Sequence, residues 1–188
     1  MERRGTALVT GVGRRRSIGA ELALGLASDG WDVLLNYWAP YDDRLDYERG
    51  ADDPHAIAAQ CRGLGVRAEA VPADLADPEA PSGLVAAARE LGDLRALVMS
   101  HCESVDSAIL DTTVESWDRH FAVHVKAPSI LARDFVRQLP EGVAGSIVNI
   151  IDQRVWNPTP RYYSYTLSKS ALWMATRTMA QGFAPRVR

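Results

Sequence analysis

The sequence predicts an α/β fold, in which a doubly wound parallel sheet carries helices on both faces within a single domain. Short apolar or β-branched runs alternate with longer helical patterns along the chain, which is typical of parallel strands joined by crossover helices. Glycines stand where several of the helical patterns should end. The chain has 188 residues, 47% of them hydrophobic, which is enough for one core and does not require a second.

The predicted strands and helices follow one another in a regular order. The strands are short runs rich in Val, Leu, Ile or Ala, at Thr6–Val9, Asp32–Asn36, Arg67–Val71, Ala96–Ser100 and Ser146–Ile151. The helices are longer patterns, at Ile18–Ser28, His55–Leu64, Pro78–Glu90, Val114–Leu139 and Tyr162–Phe183. Asp77, which precedes a proline, is the expected N-cap of the third helix, and Gly30, Gly63 and Gly92 mark helix ends. The irregular stretch 37–54 is expected to be a functional or mobile loop.

The composition argues against several classes of function. The formal net charge of −3 at pH 7 is not the basic footprint of a nucleic-acid-binding protein. No apolar run approaches the roughly 20 residues of a membrane span, so we expect no membrane segment and a cytoplasmic location. Cys61 and Cys102 have no second Cys or His at metal-ligand spacing, so neither a disulfide framework nor a metal site is expected.

The first predicted strand leads into a glycine-rich turn that precedes an apolar helix. The turn reads Thr10-Gly11-Val12-Gly13-Arg14-Arg15-Arg16-Ser17-Ile18-Gly19. Glycines there let the backbone approach a pyrophosphate, which then lies at the positive end of the helix. The turn therefore predicts a Rossmann-like dinucleotide site with Gly11, Ser17, Ile18 and Gly19 among its contacts. A plain strand-to-helix turn is the alternative.

The end of the second strand indicates which dinucleotide to expect. An NAD site usually places an acid there for the ribose 2′-hydroxyl, whereas an NADP site offers positive charge to the 2′-phosphate. Here Asn36 and Tyr37 end the strand without an acid, and Arg14, Arg15 and Arg16 stand in the neighbouring turn. Guanidinium groups match phosphate bidentately, so we expect NADP(H), with Asn36, Tyr37 and the arginines as cofactor contacts. The alternative for the arginines is solvated loop charge, and Asp42 and Asp43 further along weaken the NADP prediction slightly.

Polar residues also follow the third and fourth strands. Ligands of open α/β sheets collect at the carboxyl ends of the strands, so Asp74, Leu75, Ser100 and His101 are expected to contact the cofactor. Asp74 could accept a hydrogen bond from an adenine amino group. A turn-forming Asp is an equally good reading of the same residue.

The last predicted helix carries the chemistry. Tyr162, Tyr165 and Lys169 stand at i, i+3 and i+7, on one helix face. A phenol is a poor acid at neutral pH unless a neighbouring ammonium stabilises its anion. Lys169 can do so for Tyr165 and can also hold a cofactor ribose, which makes Tyr165 a credible general acid for hydride delivery to a carbonyl. A half-buried aromatic face is the alternative on these residues alone.

With the glycine turn, the fifth strand and Tyr165-x-x-x-Lys169 in this order, the chain resembles the short-chain dehydrogenase/reductase family over nearly its whole length. The family commonly has a Ser after the fifth strand, and this chain has Asp152 there, as in the pteridine-reductase-like branch. The stretch 148–156 is similar to the dihydromonapterin reductase-like group. The resemblance implies a small-molecule substrate, either a 3-oxoacyl-type ketone or a pterin-like heterocycle. Buried beside a phenol, Asp152 is expected to have a raised pKa and to orient Tyr165.

The chain departs from the family pattern at two places. The family's Asn-Asn-Ala-Gly-like turn is replaced by Met99-Ser100-His101-Cys102-Glu103, which brings an unusual acid near the cofactor. The Asn that supports a proton-relay water in the family is replaced by His124. A histidine can hold a water and shuttle a proton, so His124 is a candidate catalytic residue.

Two other functions stay open. The spacing from Gly11 to Gly19 resembles that of enoyl-acyl-carrier-protein reductases, in which six residues separate tyrosine from lysine, and Tyr162 with Lys169 meets that spacing. The altered turn at Ser100–Glu103 also permits a cofactor-binding sensor or scaffold without turnover.

The family resemblance also implies an assembly and a continuation of the sheet. Helix-face pairing between copies predicts a homodimer or homotetramer, with the apolar residues at 171–175, 178 and 179 at the interface. The family begins its sixth strand where this chain reaches Arg188, so the last strands are expected to be missing. The fifth strand is then expected to lie near an unpaired edge.

Overall fold

The computed structural model describes residues 3–45, 48 and 50–188. Its centre is a five-stranded parallel sheet with the order β3-β2-β1-β4-β5. The strands are β1 (Gly5–Thr10), β2 (Trp31–Tyr37), β3 (Ala68–Pro72), β4 (Leu94–Met99) and β5 (Ser146–Asn149). The order reverses between β1 and β4, and this is the point where an open parallel sheet forms its ligand crevice. The predicted doubly wound α/β class is confirmed.

Helices cover both faces of this sheet. They are α1 (Ile18–Ser28), α2 (Ala39–Arg44), α3 (Asp53–Gly63), α4 (Ala80–Leu91), α5 (Val114–Phe121), α6 (Ala127–Gln138) and α7 (Tyr163–Phe183). Ala7 and Val9 of β1 face one core, which α1 and α3 cover, while Leu8 faces the other, which α4 and α6 cover. This alternation follows from the period of two in a strand. None of the described helices is long and apolar enough to cross a membrane.

The structure differs from the prediction at the start of the third predicted helix and within the stretch 37–54. The third predicted helix begins at Ala80 rather than Pro78, because the Asp77 carboxylate accepts the Glu79 N–H in a turn before the helix instead of capping it. The stretch 37–54 contains the short helix α2 rather than continuous loop. Residues 46, 47 and 49 of that stretch lie outside the described residues.

The long predicted helix 114–139 is broken by one wide turn. Residues Ala122–Lys126 form a π-helical turn between α5 and α6, closed by the Ala127 N–H on the Ala122 carbonyl. Pro128 follows directly and has no N–H to give to the carbonyl four residues before it. The missing donor favours a local departure from α-helical bonding, and such turns often lie at functional sites.

The last residues of the chain run along β5. The Gly145 N–H donates to the Arg186 carbonyl at 3.1 Å and the Ile147 N–H donates to the Arg188 carbonyl at 2.8 Å. Val187 forms a parallel bridge with Gly145 and is only 2% exposed. The expectation of an unpaired edge is therefore wrong at the start of β5, where both backbone groups of Gly145 and the N–H of Ile147 are bonded to the last residues of the chain.

Candidate active site

A cavity of about 500 Å³ opens at the carboxyl ends of the strands, where the strand order reverses. Most of the predicted site residues line it: Gly11, Arg14, Arg16, Ser17, Ile18, Gly19, Asn36, Asp74, Leu75, Ser100, His101, Asp152, Tyr165 and Lys169. Arg15, Tyr37 and His124 are not among the described residues that line it. The glycine turn and the tyrosine helix thus meet in one cleft.

The glycine turn has the geometry of an anion cradle. Gly11 has φ +80°, and a Cβ atom there would lie 2.6 Å from the His101 backbone, so only glycine fits. The Ser17 hydroxyl caps α1 by accepting the Ala20 N–H at 3.2 Å. The first-turn amides of Ile18 and Gly19 have no partner within an α-helix, and together with the helix dipole they suit a pyrophosphate. The turn therefore fits a dinucleotide.

The three arginines of the turn differ in their partners. Arg14 pairs with Asp42 at 3.0 Å. Arg15 holds Asp53 through its backbone N–H at 3.2 Å and its guanidinium at 3.0 Å. Burial of Asp53 opposes these hydrogen bonds, but the bonds prevail and lower its pKa. Arg16 lines the cavity, is exposed, and makes no ion pair within the described part of the chain, so its guanidinium is available to a phosphate.

Some residues at and after the end of β2 stabilise the sheet, and others line the cavity. The Asn36 amide is 2% exposed and donates to the Ala73 carbonyl at 3.1 Å, which ties β2 to the end of β3. The Tyr37 hydroxyl lies 3.4 Å from His55 Nε2. Trp38 and Tyr41, on the following segment, line the cavity. Sequence reasoning did not select Tyr41 as a contact.

The unusual acid at Glu103 is neutralised inside the protein. Its carboxylate is 2% exposed and accepts from Arg44 Nη2 at 2.9 Å and from Arg119 Nε at 2.7 Å. Arg119 also reaches Asp74 at 3.1 Å, and Asp74 accepts the Ala76 N–H in a turn. Asp74 therefore forms the predicted turn and also lines the cavity, while its contact with an adenine stays a prediction. The network joins α2, α5 and the segment after β4 beside the cleft, and sequence reasoning missed Arg44 and Arg119.

The two histidines near the cleft are neutral and fully engaged. His101 Nε2 donates to the Val123 carbonyl at 2.9 Å, so its Nδ1 accepts the Thr10 hydroxyl at 2.6 Å. Burial lowers the pKa of His101 to about 3, with the nearby Lys169 charge as a further cause. The imidazole therefore acts as a fixed link between β1, the end of β4 and the π-helical turn.

His124 lies in the π-helical turn and bonds to protein groups through both ring nitrogens. Its Nε2 accepts the Glu103 N–H at 3.0 Å, so Nδ1–H donates to the Ser168 hydroxyl at 2.8 Å. Burial, with Lys169, lowers its pKa well below the usual value. One turn earlier, His120 Nδ1 lies 2.9 Å from the Ser164 hydroxyl. In this arrangement neither nitrogen of His124 is open to a relay water, and the ring supports α7 against the site.

Tyr165 and Lys169 stand side by side at the inner end of the cleft. The Tyr165 hydroxyl donates to Asp152 Oδ2 at 2.8 Å, and Lys169 Nζ donates to the Ile150 carbonyl at 3.1 Å. Burial raises the pKa of Tyr165, and Cys102 and Asp152 add to the rise. The expected lowering of the Tyr165 pKa by Lys169 is therefore wrong for this arrangement, because burial and the hydrogen bond donated to the Asp152 carboxylate favour the protonated phenol. Burial also lowers the pKa of Lys169.

The expected rise in the pKa of Asp152 is also wrong. Burial acts to raise it, but hydrogen bonds from the Arg154 backbone and the Tyr165 hydroxyl, together with the Arg154 charge, hold the pKa below its usual value. The Arg154 guanidinium contacts Asp152 at 3.0 Å and lies 4.3 Å from the centre of the Tyr162 ring. Sequence reasoning missed Arg154, although its spacing two residues after the acid was a readable signal.

Known proteins resemble this chain over nearly all of its length. The protein-family model described as short chain dehydrogenase matches residues 5–188. A short-chain type dehydrogenase/reductase of Picea abies is 33% identical over 181 residues, which cover 93% of this chain and 64% of the relative. Human dehydrogenase/reductase SDR family member 4 is 28% identical, over 90% of this chain and 58% of the relative. The chain thus spans about three fifths of the length of these relatives.

Solved structures give the same result. The crystal structure of FolM alternative dihydrofolate reductase 1 from Brucella canis, complexed with NADP, has a TM-score of 0.85 and 42% identity, and the match covers 97% of this chain and 68% of that one. The Brucella suis protein, also in complex with NADP, has a TM-score of 0.85 and 43% identity. With the glycine turn, the strand order and the family model in agreement, the chain belongs to the short-chain dehydrogenase/reductase family of oxidoreductases.

Proposed function

We propose that the protein is an NADPH-dependent reductase that adds a hydride to the carbon of a carbonyl or imine, with Tyr165 as the proton donor. The observation that carries the proposal is the Tyr165 hydroxyl, which lies in the same cavity as the glycine turn and donates to Asp152 at 2.8 Å. A protonated phenol held by a carboxylate and flanked by a buried ammonium is a suitable general acid.

The proposed mechanism divides the work among a few side chains. The bound cofactor supplies the hydride to the substrate carbon. Tyr165 donates its proton to the oxygen or nitrogen that gains the electron pair, so the product is an alcohol or amine. The Lys169 ammonium, buried on the same helix, stabilises the phenolate that this leaves, and solvent returns the proton. Asp152 orients the Tyr165 hydroxyl before the transfer.

NADP(H) is favoured over NAD(H) by the free guanidinium of Arg16 and by the NADP-bound relatives. Arg16 lines the cavity at the turn where a 2′-phosphate would lie near β2. Asp42 also lines it, but its charge is offset by Arg14 at 3.0 Å. Both Brucella proteins carry NADP in their solved structures. The balance of charge at this end of the cleft therefore supports a phosphorylated ribose.

The substrate that we propose is a pterin-like heterocycle, with a 3-oxoacyl-type ketone as the second candidate. Asp152 stands where the family commonly has a Ser, and the Brucella relatives are named alternative dihydrofolate reductases. A carboxylate beside the proton donor suits a ring with N–H groups that can donate to it. Trp38 also lines the cavity, and its indole ring is suited to stacking on a flat heterocycle.

The two alternative functions have less support. An enoyl-thioester reductase would use Tyr162, but its ring lies under the Arg154 guanidinium and is not among the described cavity-lining side chains. The alternative of a sensor or scaffold without turnover was suggested by the altered turn at Ser100–Glu103. The ion pairs of Glu103 with Arg44 and Arg119 give the acid of that turn a structural role, so it no longer favours this alternative. A homo-oligomeric assembly and a cytoplasmic location stay predictions of the sequence.

The test is NADPH oxidation by the purified chain against three substrate groups: dihydropterins, 3-oxoacyl thioesters and enoyl thioesters. We expect turnover with the first or second group and loss of it in Tyr165→Phe, while NADPH binding persists. Turnover only with enoyl thioesters, lost in Tyr162→Phe, would replace our proposal by the enoyl reductase. NADPH binding without any turnover would favour the sensor.

A further inference from the structure

Arg154 is held next to Tyr165 by four contacts, two hydrogen bonds to Asp152 and two contacts with aromatic rings. Its backbone N–H donates to Asp152 Oδ1 at 2.8 Å, and its Nη1 donates to Asp152 Oδ2 at 3.0 Å. Oδ2 is also the atom that accepts the Tyr165 hydroxyl. The guanidinium lies 4.3 Å from the centre of the Tyr162 ring and 5.5 Å from that of Tyr165. One carboxylate oxygen is thus shared by a cation and by the proposed proton donor.

The acid at position 152 creates an electrostatic problem for the proposed reaction. When Tyr165 gives up its proton, a phenolate forms within hydrogen-bond distance of a carboxylate, and two anions so close repel each other strongly in a buried site. The charged or titratable groups that act on or contact Asp152 and Tyr165 are Cys102 after β4, Lys169 on α7, Arg154, and the rings of His120 and His124, which meet the Tyr165 ring edge-on. The single positive charge of Lys169 can offset only one of the two negative charges.

Arg154 can offset the second charge. It lies on the short 3₁₀ turn Gln153–Val155, next to Asp152, and its side chain is about a quarter exposed. Its guanidinium is held between the carboxylate and the Tyr162 ring, a geometry that a planar cation fits and an ammonium fits less well. The described side chains that line the cavity include Asp152 and Tyr165 but not Arg154. Arg154 therefore acts through Asp152 rather than on a ligand.

We propose that Arg154 is a positioning residue that keeps Asp152 ionised and aimed at Tyr165, and so sets the lower pH limit of the reduction. The proposal rests on the proposed function, because it assigns Arg154 a role in the same proton transfer. It explains why a chain with an acid in place of the family's Ser carries an arginine two residues later. The role of the Tyr162 ring is then to hold the guanidinium in place.

The first experiment compares Arg154→Gln with wild type and with Arg177→Gln. Arg177 also lies over an aromatic ring, that of Trp173 at 5.2 Å, but it is exposed and lies on the far part of α7. We expect Arg154→Gln to move the acid limb of the kcat profile up by about one pH unit or more, which lowers kcat by about 10-fold at pH values below the limb. NADPH affinity should be unchanged, and Arg177→Gln should behave as wild type. An acid limb that does not move in Arg154→Gln would overturn the proposal.

Two further variants separate electrostatics from structural support. Arg154→Lys keeps the charge, so it should keep the position of the acid limb even where kcat falls. In an Asp152→Asn background the carboxylate is gone, and Arg154→Gln should then cost little more in kcat, since there is no charge left to offset. An equal loss in both backgrounds would mean that Arg154 only supports the fold.

An NMR titration, which does not depend on catalytic turnover, tests the role of Arg154 separately from the proposed function. The Asp152 carboxyl carbon can be titrated by NMR in the NADPH-bound full chain, in wild type and in Arg154→Gln. We expect its pKa to rise by about one unit or more in the variant, whether or not any substrate is reduced. A rise in a protein that reduces nothing would leave Arg154 as the control of Asp152 and refute only the reductase. An unchanged pKa in an active enzyme would refute only the role of Arg154.

Discussion

The Tyr165 hydroxyl and Asp152 Oδ2 are joined by a hydrogen bond of 2.8 Å, which the phenol donates. The direction of this bond matters because it leaves Tyr165 protonated and Asp152 anionic before a substrate arrives. Burial and the nearby Asp152 both raise the pKa of Tyr165. The free protein therefore stores the proton that the proposed reduction consumes.

Replacing this hydroxyl should remove turnover while the cofactor still binds. Tyr165→Phe is expected to lower kcat by roughly 10²- to 10⁴-fold, the usual worth of a general acid. Tyr162→Phe is the matched control, because Tyr162 lies one helical turn away outside the cavity lining, and it should change kcat by about twofold or less. Stopped-flow NADPH oxidation and fluorescence titration measure the two effects. A severe loss in Tyr162→Phe with a mild one in Tyr165→Phe would contradict the proton-donor assignment.

Arg16 should decide the preference for NADPH over NADH. Arg16→Ala removes a charge-assisted contact worth about 1.5–3 kcal/mol, which corresponds to a roughly 10- to 100-fold weaker Kd for NADPH. The Kd for NADH should hardly change. Arg15→Ala serves as the control, since Arg15 is bound to Asp53 and should not contribute to phosphate binding. Calorimetric titration of both nucleotides at fixed salt checks this, and equal losses for NADPH and NADH would speak against a phosphate contact.

Gly11 should tolerate no side chain, in contrast to Gly25. Gly11→Ala places a Cβ atom 2.6 Å from the His101 backbone at φ +80°, which we expect to cost about 1–3 kcal/mol and to weaken NADPH binding. Gly25 lies in α1, where an added Cβ atom would meet nothing within 4 Å, so Gly25→Ala should add about 0.5–1 kcal/mol to the free energy of unfolding. Thermal and urea unfolding of both variants provide the comparison, and a stable Gly11→Ala variant with normal affinity would contradict the cradle geometry.

Acid should destabilise the protein through its buried histidines. The pKa of His101 is about 3 in the folded chain, below the value of about 6.5 in an unfolded one, so the unfolded state binds more protons between these two pH values. The stabilising effect is complete above pH 6.5 and is lost as the pH falls towards 3, by about 1.4 kcal/mol per pH unit for one histidine. His120 and His124 act in the same direction. The free energy of unfolding, measured with urea across this pH range, should fall less steeply with decreasing pH in His101→Gln than in wild type. An unchanged dependence on pH would indicate that His101 is protonated in the folded chain.

The outer face of α7 is the expected contact between copies of the chain. Leu167 and Met174, two turns apart, are 37% and 52% exposed, whereas Leu172, which the sequence placed at the interface, is 3% exposed and belongs to the interior. Leu167→Glu with Met174→Glu should convert a dimer or tetramer into smaller species by light scattering. Leu110→Glu is the control at a side chain 92% exposed elsewhere, and a wild-type monomer would contradict the assembly.

The parts of the site that the sequence predicts correctly are those encoded over short distances. The glycine turn lies between β1 and α1, and Tyr165 and Lys169 share one helix face, because turn and helix periods fix these positions locally. The ion pairs of Glu103 could not be predicted in the same way. Its partners Arg44 and Arg119 are 59 and 16 residues away along the chain, and only the folded sheet brings them together.

The pKa of Asp152 shows a different limit. Burial beside a phenol predicts a raised pKa for Asp152, and burial does act in that direction in the structure. The direction of the shift is reversed by Arg154, whose backbone and side chain both bind the carboxylate, together with the hydrogen bond from the Tyr165 hydroxyl. Sequence spacing indicates that Asp152 and Arg154 are near each other, but the strength of these hydrogen bonds and of the Arg154 charge against desolvation depends on distances that only coordinates supply.

The π-helical turn at Ala122–Lys126 divides a long helix into α5 and α6, which pack against different neighbours. Each extra residue in a turn rotates the following side chains by about 100° around the helix axis. Before and within the turn, His120 and His124 pair with the serines of α7, while beyond it Leu131 and Phe135 are packed in the core with no exposure. We therefore expect substitutions at Leu131 or Phe135 to change the packing of the core without redirecting the two histidines away from α7.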